Sequence, residues 1–170
     1  MLLACFSVHA DDFDVWSAAS PDATLVAAER RIPDPDIVQH LDLDGFRVVI
    51  SSVDREGNSG VVARHDFPSR VVSAICWSPD SRFLLFTATS PGGHSPWHFK
   101  TYLYCVSDKT FRKVEDVTGG SVIAPEFQFE PPDIATLTIQ DAAGLSDRPQ
   151  MAPKQIKISL AKFVKKMTSL

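Results

Sequence analysis

Residues 71–114 read VVSAICWSPDSRFLLFTATSPGGHSPWHFKTYLYCVSDKTFRKV. Short runs of β-branched, aliphatic and aromatic residues alternate here with turn-forming clusters, which is the pattern of strands joined by tight connections. Val71–Trp77 forms a first strand, Ser78-Pro79-Asp80-Ser81 a turn, and Arg82 opens a second strand. A long loop leads to a third strand at Tyr102–Val106 and a short fourth around Phe111–Val114. The chemistry of the turn is specific. Proline presets φ, aspartate closes the turn with a side-chain hydrogen bond, and the tryptophan before it packs between neighbouring sheets.

The run WSPDSRFLLF, followed by Leu103-Tyr104-Cys105-Val106 and the Asp108-Lys109-Thr110 turn, resembles the repeat of Tol-type periplasmic β-propellers and of the propeller domains of prolyl-oligopeptidase-like enzymes. The resemblance implies that each unit is one four-stranded antiparallel blade. Weaker copies flank the central one, as a search for internal repeats requires. Upstream, Val15-Trp16-Ser17 and Ser20-Pro21-Asp22-Ala23 echo the turn with a displacement of three residues, with FRVVISSVDREG as third strand and GVVARH as fourth. Downstream, Pro125–Phe129, Glu130-Pro131-Pro132-Asp133 and IATLTI echo the first two strands, and QIKISL the third. The expectation is an all-β domain over residues 11–160 with about three propeller-like blades. Complete propellers need four or more blades, so the alternatives are an incomplete propeller, an open stack, or half of a dimeric ring. An unrelated β-sandwich with a chance Ser-Pro-Asp turn also fits.

Composition limits the rest. The chain has 170 residues, 44% of them hydrophobic, which suits one domain. Seventeen basic residues against 21 acidic ones give a net charge of −4 and no global field for holding a nucleic acid. Twelve prolines interrupt long helices, and no apolar run reaches the length of a transmembrane segment.

Residues 1–10, MLLACFSVHA, offer two kinds of reading. Leu2–Val8 is an apolar core, and Val8-His9-Ala10 places small residues where a signal peptidase would cut before Asp11. Leu2-Leu3-Ala4-Cys5 also resembles a bacterial lipobox. The structural alternative is an N-terminal strand. Export to the periplasm or outside the cell is the expectation, with a cytoplasmic location the alternative. Cys76 and Cys105 lie in apolar runs, where buried free thiols are the usual state.

In the blade reading the second-to-third-strand connection is long in every unit: Arg30 to Gly45, Thr89 to Lys100 and Asp141 to Lys154. All three should project from one face, and function concentrates on long loops carried by a rigid scaffold. The middle loop offers His94, Trp97, His98 and Phe99 as candidate binding residues, side-chain types that form hot spots when exposed.

Catalytic and metal motifs fail on inspection. Gly93-His94-Ser95-Pro96-Trp97 lacks the closing glycine of a nucleophile elbow, and Asp42-Leu43-Asp44-Gly45 lacks the first ligand of a calcium loop. Pro96 discourages the helix that would bring His94 and His98 together as a metal pair. The reading is therefore a non-catalytic binding module, exported, that presents long loops to a protein or cell-envelope partner, with no cofactor or metal. The alternative is an accessory or truncated propeller portion of a prolyl-oligopeptidase-like peptidase. Nine acids against two arginines in residues 1–45, and six bases without an acid in residues 148–170, give oppositely charged ends. Either these ends or open sheet edges could join two copies as a homodimer. Residues 161–170 are expected as a basic tail, a short helix or frayed end.

Overall fold

The computed structural model describes residues 14–32, 45–67, 71–89, 99–124, 127–141 and 152–167. These residues form three four-stranded antiparallel sheets in chain order, without a closed ring. Sheet 1 contains β1 (Asp14–Ala19), β2 (Leu25–Ile32), β3 (Gly45–Val53) and β4 (Ser59–Phe67), each beside its sequence neighbour. Sheet 2 repeats the plan with β5 (Val71–Trp77), β6 (Phe83–Thr89), β7 (Lys100–Cys105) and β8 (Thr110–Lys113). After a short helix, α1 (Glu115–Thr118), sheet 3 is built from β9 (Gly120–Val122), β10 (Gln128–Glu130), β11 (Ile134–Asp141) and β12 (Lys154–Ser159), and α2 (Leu160–Met167) follows.

The first two units share their turn bond for bond. Ser20 Oγ donates to Asp22 Oδ1 at 2.6 Å and accepts from Leu25 N at 3.0 Å; Ser78 Oγ donates to Asp80 Oδ1 at 2.7 Å and accepts from Phe83 N at 3.0 Å. Ala23 and Ser81 both take positive φ, 58° and 60°, as the tight reversal requires of its last residue. The turns also touch each other, since Ser81 Oγ accepts from Asp22 N at 3.0 Å. One backbone bond recurs in all three units: Val53 N to Thr24 O, Val106 N to Arg82 O and Leu160 N to Asp133 O. It places the third strand's end, or α2 in its stead, beside the start of the second.

Packing puts sheet 2 in the middle. Ala27, Val48, Ile50 and Phe67 of sheet 1 meet Trp77, Leu84, Phe86 and Tyr104 of sheet 2 in one core cluster. Phe83, Leu85, Leu103 and Cys105, on the other face of sheet 2, meet Val122, Ala135, Leu137 and Ile139 of sheet 3 in a second. Burial on both faces explains why β6 is a nearly continuous apolar run, whereas β11 alternates buried with half-buried residues. Trp77 sits between sheets 1 and 2 as its motif requires, and its indole Nε1 donates to Ala18 O at 3.0 Å.

The third unit departs from the plan. β9 and β10 pair with the same edge of β11 in succession, around Ile139–Asp141 and Ile134–Thr136, so together they are one interrupted inner strand. In place of an outer strand the chain turns into α2. Its Leu160 and Phe163 are buried in the second cluster, so residues 160–167 are an integral element of the core rather than only a basic tail. Asp133 explains the helix start, because its Oδ2 accepts from Ala161 N at 2.8 Å and from Ser159 Oγ at 3.2 Å. Cys105 is a buried free thiol as expected. Cys76 is disulfide-bonded instead, a state that an apolar setting permits equally.

Candidate functional site

Strand direction divides the molecule into two ends. The Ser-Pro-Asp turns lie at one end, where the Asp22–Ser81 bond joins sheets 1 and 2 and the bond from Arg112 Nη1 to Val164 O ties sheet 2 to the helix following β12. At the opposite end, β2 stops at Ile32 and β3 starts at Gly45, β6 stops at Thr89 and β7 starts at Lys100, and β11 stops at Asp141 and β12 starts at Lys154. The three longest connections thus begin and finish at the same end of the three sheets.

At the tight-turn end the aspartates are held by their own turns. Asp22 accepts from Ser20, Thr24 N and Thr24 Oγ1, and the Ser20 hydroxyl, ahead of the burial that opposes it, holds its carboxyl below the usual carboxylate range. Asp54 accepts from Glu56 N, Asn58 N and Asn58 Nδ2, and Asp108 from Thr110. These carboxylates close turns. Ser20 and Ser78 beside them donate to aspartate and accept from backbone amides.

The loop-bearing end is built on buried carboxylates that hold strand starts. Glu29, buried on β2, accepts from Val72 N at 2.9 Å and so fixes the beginning of β5 against sheet 1. Glu115 Oε1 accepts from Thr101 N at 2.9 Å and fixes the beginning of β7, the strand that receives the middle loop. Burial pushes the Glu115 carboxyl above its ordinary value, against the opposing effects of the Thr101 amide and of Lys100 and Lys113. Its second oxygen is buried without a hydrogen-bond partner. Nearby, the Thr87 and Thr101 hydroxyls bond to each other at 3.1 Å, and Ser73 Oγ donates to Thr87 O at 3.2 Å. This is a polar frame under the middle loop: Thr87 and Thr101 are register partners near the ends of β6 and β7, and Glu115 holds the Thr101 amide.

Of the candidate binding residues, Phe99 is half-buried immediately before β7. His94, Trp97 and His98 lie outside the described residues, as do residues 1–10 and the Asp34–Asp44 acidic stretch. Glu29, Glu115, Thr87 and Thr101 were not singled out by the sequence. Their partners are backbone amides and hydroxyls on other strands, which no local spacing announces. His65 is half-buried between sheets 1 and 2, stacked on Phe111 at 5.2 Å between ring centroids and tilted against Phe67 at 4.6 Å. Burial lowers its pKa, with Asp66 opposing. Among the described residues no three His, Cys, Asp or Glu side chains converge as metal ligands would, and no helix is long and apolar enough to cross a membrane.

The chain matches no protein-family model and no curated protein.

Proposed function

We propose that this protein is a non-catalytic binding module, exported from the cytoplasm, which uses the long loops at one end of its blade-like sheets to hold a protein or cell-envelope partner. The observation that carries the reading is the asymmetry of the two ends. All three long connections, residues 33–44, 90–99 and 142–153, leave from one end, while the other carries short turns closed by their own hydrogen bonds and the helix α2. Loops on a rigid scaffold are where recognition residues accumulate. The buried anchors Glu29 and Glu115 support the same reading, because they fix strand starts at the loop end and so reduce the ordering cost of binding. The likeness of the Ser-Pro-Asp units to Tol-type propeller blades agrees with an envelope setting.

Trp97→Ala tests the reading. With the wild-type protein used as bait against a cell-envelope extract, the variant should lose the captured partner, corresponding to about 2 kcal/mol or more for a hot-spot tryptophan, while its melting temperature stays near wild type. Capture retained beside a lowered melting temperature would assign Trp97 to loop anchoring and contradict the proposal.

A further inference from the structure

The outer edges of the three sheets are treated differently. An outer strand offers unpaired N–H and C=O groups, and native sheets blunt such edges by keeping them short or covering them with a helix. Sheet 2 ends in β8, four residues long and followed at once by α1. Sheet 3 is followed by α2, which packs into the core. Sheet 1 ends in β4, which runs for nine residues and has no neighbour on its outer side among the described residues. On β4 lies Val61, 61% exposed, the one large hydrophobic side chain left exposed among the described residues.

The register of β4 singles out one stretch. Pairing with β3 is regular from Phe46↔Phe67 to Ile50↔Ala63, and a bulge then separates this run from Ser51↔Val61. Ala63–Phe67 is therefore the straight part of the edge, and His65 is its midpoint. His65 and Phe67 are held from the sheet 2 side by Tyr102, Phe86 and Phe111, so the strand is fixed in its extended form before anything docks. On the opposite face Arg64 and Asp66 are both exposed. Arg47 of β3 holds the Asp66 carboxylate with two hydrogen bonds, at 2.5 and 2.7 Å.

We propose that β4 pairs with β4 of a second copy of this chain, antiparallel about a two-fold axis at His65, to join the two first sheets into one continuous sheet. In this register Arg64 of each copy lies directly opposite Asp66 of the other. The strand is self-complementary, as a two-fold interface requires, and opposite charges directly across an antiparallel pair are favourable. Each Asp66 then lies between Arg47 of its own chain and Arg64 of the second copy. The pairing is limited to Ala63–Phe67, well below the roughly 1,200 Å² of a standard stable interface. The dimer is accordingly weak and reversible. This inference is independent of the loop-end reading, and either can fail without the other.

Sedimentation velocity of the full chain over a concentration series is the test, with Arg64→Asp and Asp66→Lys as variants. Each variant alone faces like charges across the axis and should weaken the dimer by about tenfold or more. An equimolar mixture should recover wild-type association, because Asp at 64 then faces Lys at 66 and Arg64 faces Asp66. A wild-type chain that stays monomeric at every concentration would overturn the proposal. So would variants that dimerise like wild type, or a mixture no tighter than its components. Should Asp66→Lys unfold through loss of the Arg47 pair, hydrogen exchange of the wild-type protein decides: the Ala63–Phe67 amides must slow as concentration rises, and unchanged exchange contradicts the pairing.

Discussion

Asp80 shows how one side chain can define a repeat. It accepts from Ser78 Oγ, from Arg82 N and from the Arg82 guanidinium, and although burial alone would raise its pKa, these hydrogen bonds outweigh it and keep the carboxyl below its ordinary value. Asp80→Ala should cost about 0.5 to 2 kcal/mol, by analogy with loss of a capping side chain, measured as a lowered denaturation midpoint at unchanged slope. Glu115 presents the opposite case. Its folded-state pKa is raised, so its contribution to stability is fully present below its unfolded value of 4.5 and is lost as pH rises through the folded value. Glu115→Gln keeps an acceptor for Thr101 N and removes the buried charge. Its melting temperature should equal or exceed wild type at pH about 7, and the difference should vanish below pH about 4. A variant less stable than wild type at neutral pH would show that the ionised carboxylate is needed. Asp80 was legible in the sequence because its partners lie within two residues of it. Glu115 was not, since it opens α1 and its amide partner belongs to Thr101, fourteen residues earlier on β7.

The strands were largely readable, those at Ile134–Asp141 and Lys154–Ser159 included, whereas the inner strand of the third unit was not, for reasons that belong to the elements themselves. Val71–Trp77 carries both its composition and its stop signal, and the observed strand has the same bounds as the sequence gives. In the third unit the inner strand is broken into β9 and β10, and neither piece, at three residues, is long enough to show alternation. The tail was ambiguous because Ile156, Ile158 and Leu160 alternate like a strand while Leu160, Phe163 and Val164 recur like a helix. Both periods are real, and the change falls at Ser159, where Asp133 and Ser159 provide the cap. If α2 closes the second core cluster, Phe163→Ala should cost about 3 to 5 kcal/mol, whereas Lys162→Ala, at an exposed position, should stay within about 0.5 kcal/mol. Thermal or chemical denaturation of the pair separates a packed helix from a frayed end; equal midpoints would mean the latter.

At the scale of the whole molecule, the structure explains a contrast between strands by their order of burial. FLLFTAT in β6 is apolar on both faces, IATLTIQD in β11 on one, and only a strand in the middle of a stack needs the former. The position of the long loops was legible in the sequence: Gly45, Thr89, Lys100, Asp141 and Lys154 are the strand ends that flank them as expected, and only β2 runs past Arg30, to Ile32. The frame beneath those loops was hidden, because Glu29 and Val72 meet only when sheets 1 and 2 stack. The central claim is that stacking order: three repeated sheets with the second buried on both faces. Native-state hydrogen exchange tests it most directly. The slowest amides should be those of Leu84–Thr87 and Leu103–Cys105, exchanging only through global unfolding, with sheets 1 and 3 opening at lower free energy. Sheet 2 amides exchanging as fast as those of the outer sheets, or a slowest set confined to sheet 1 or sheet 3, would contradict the account.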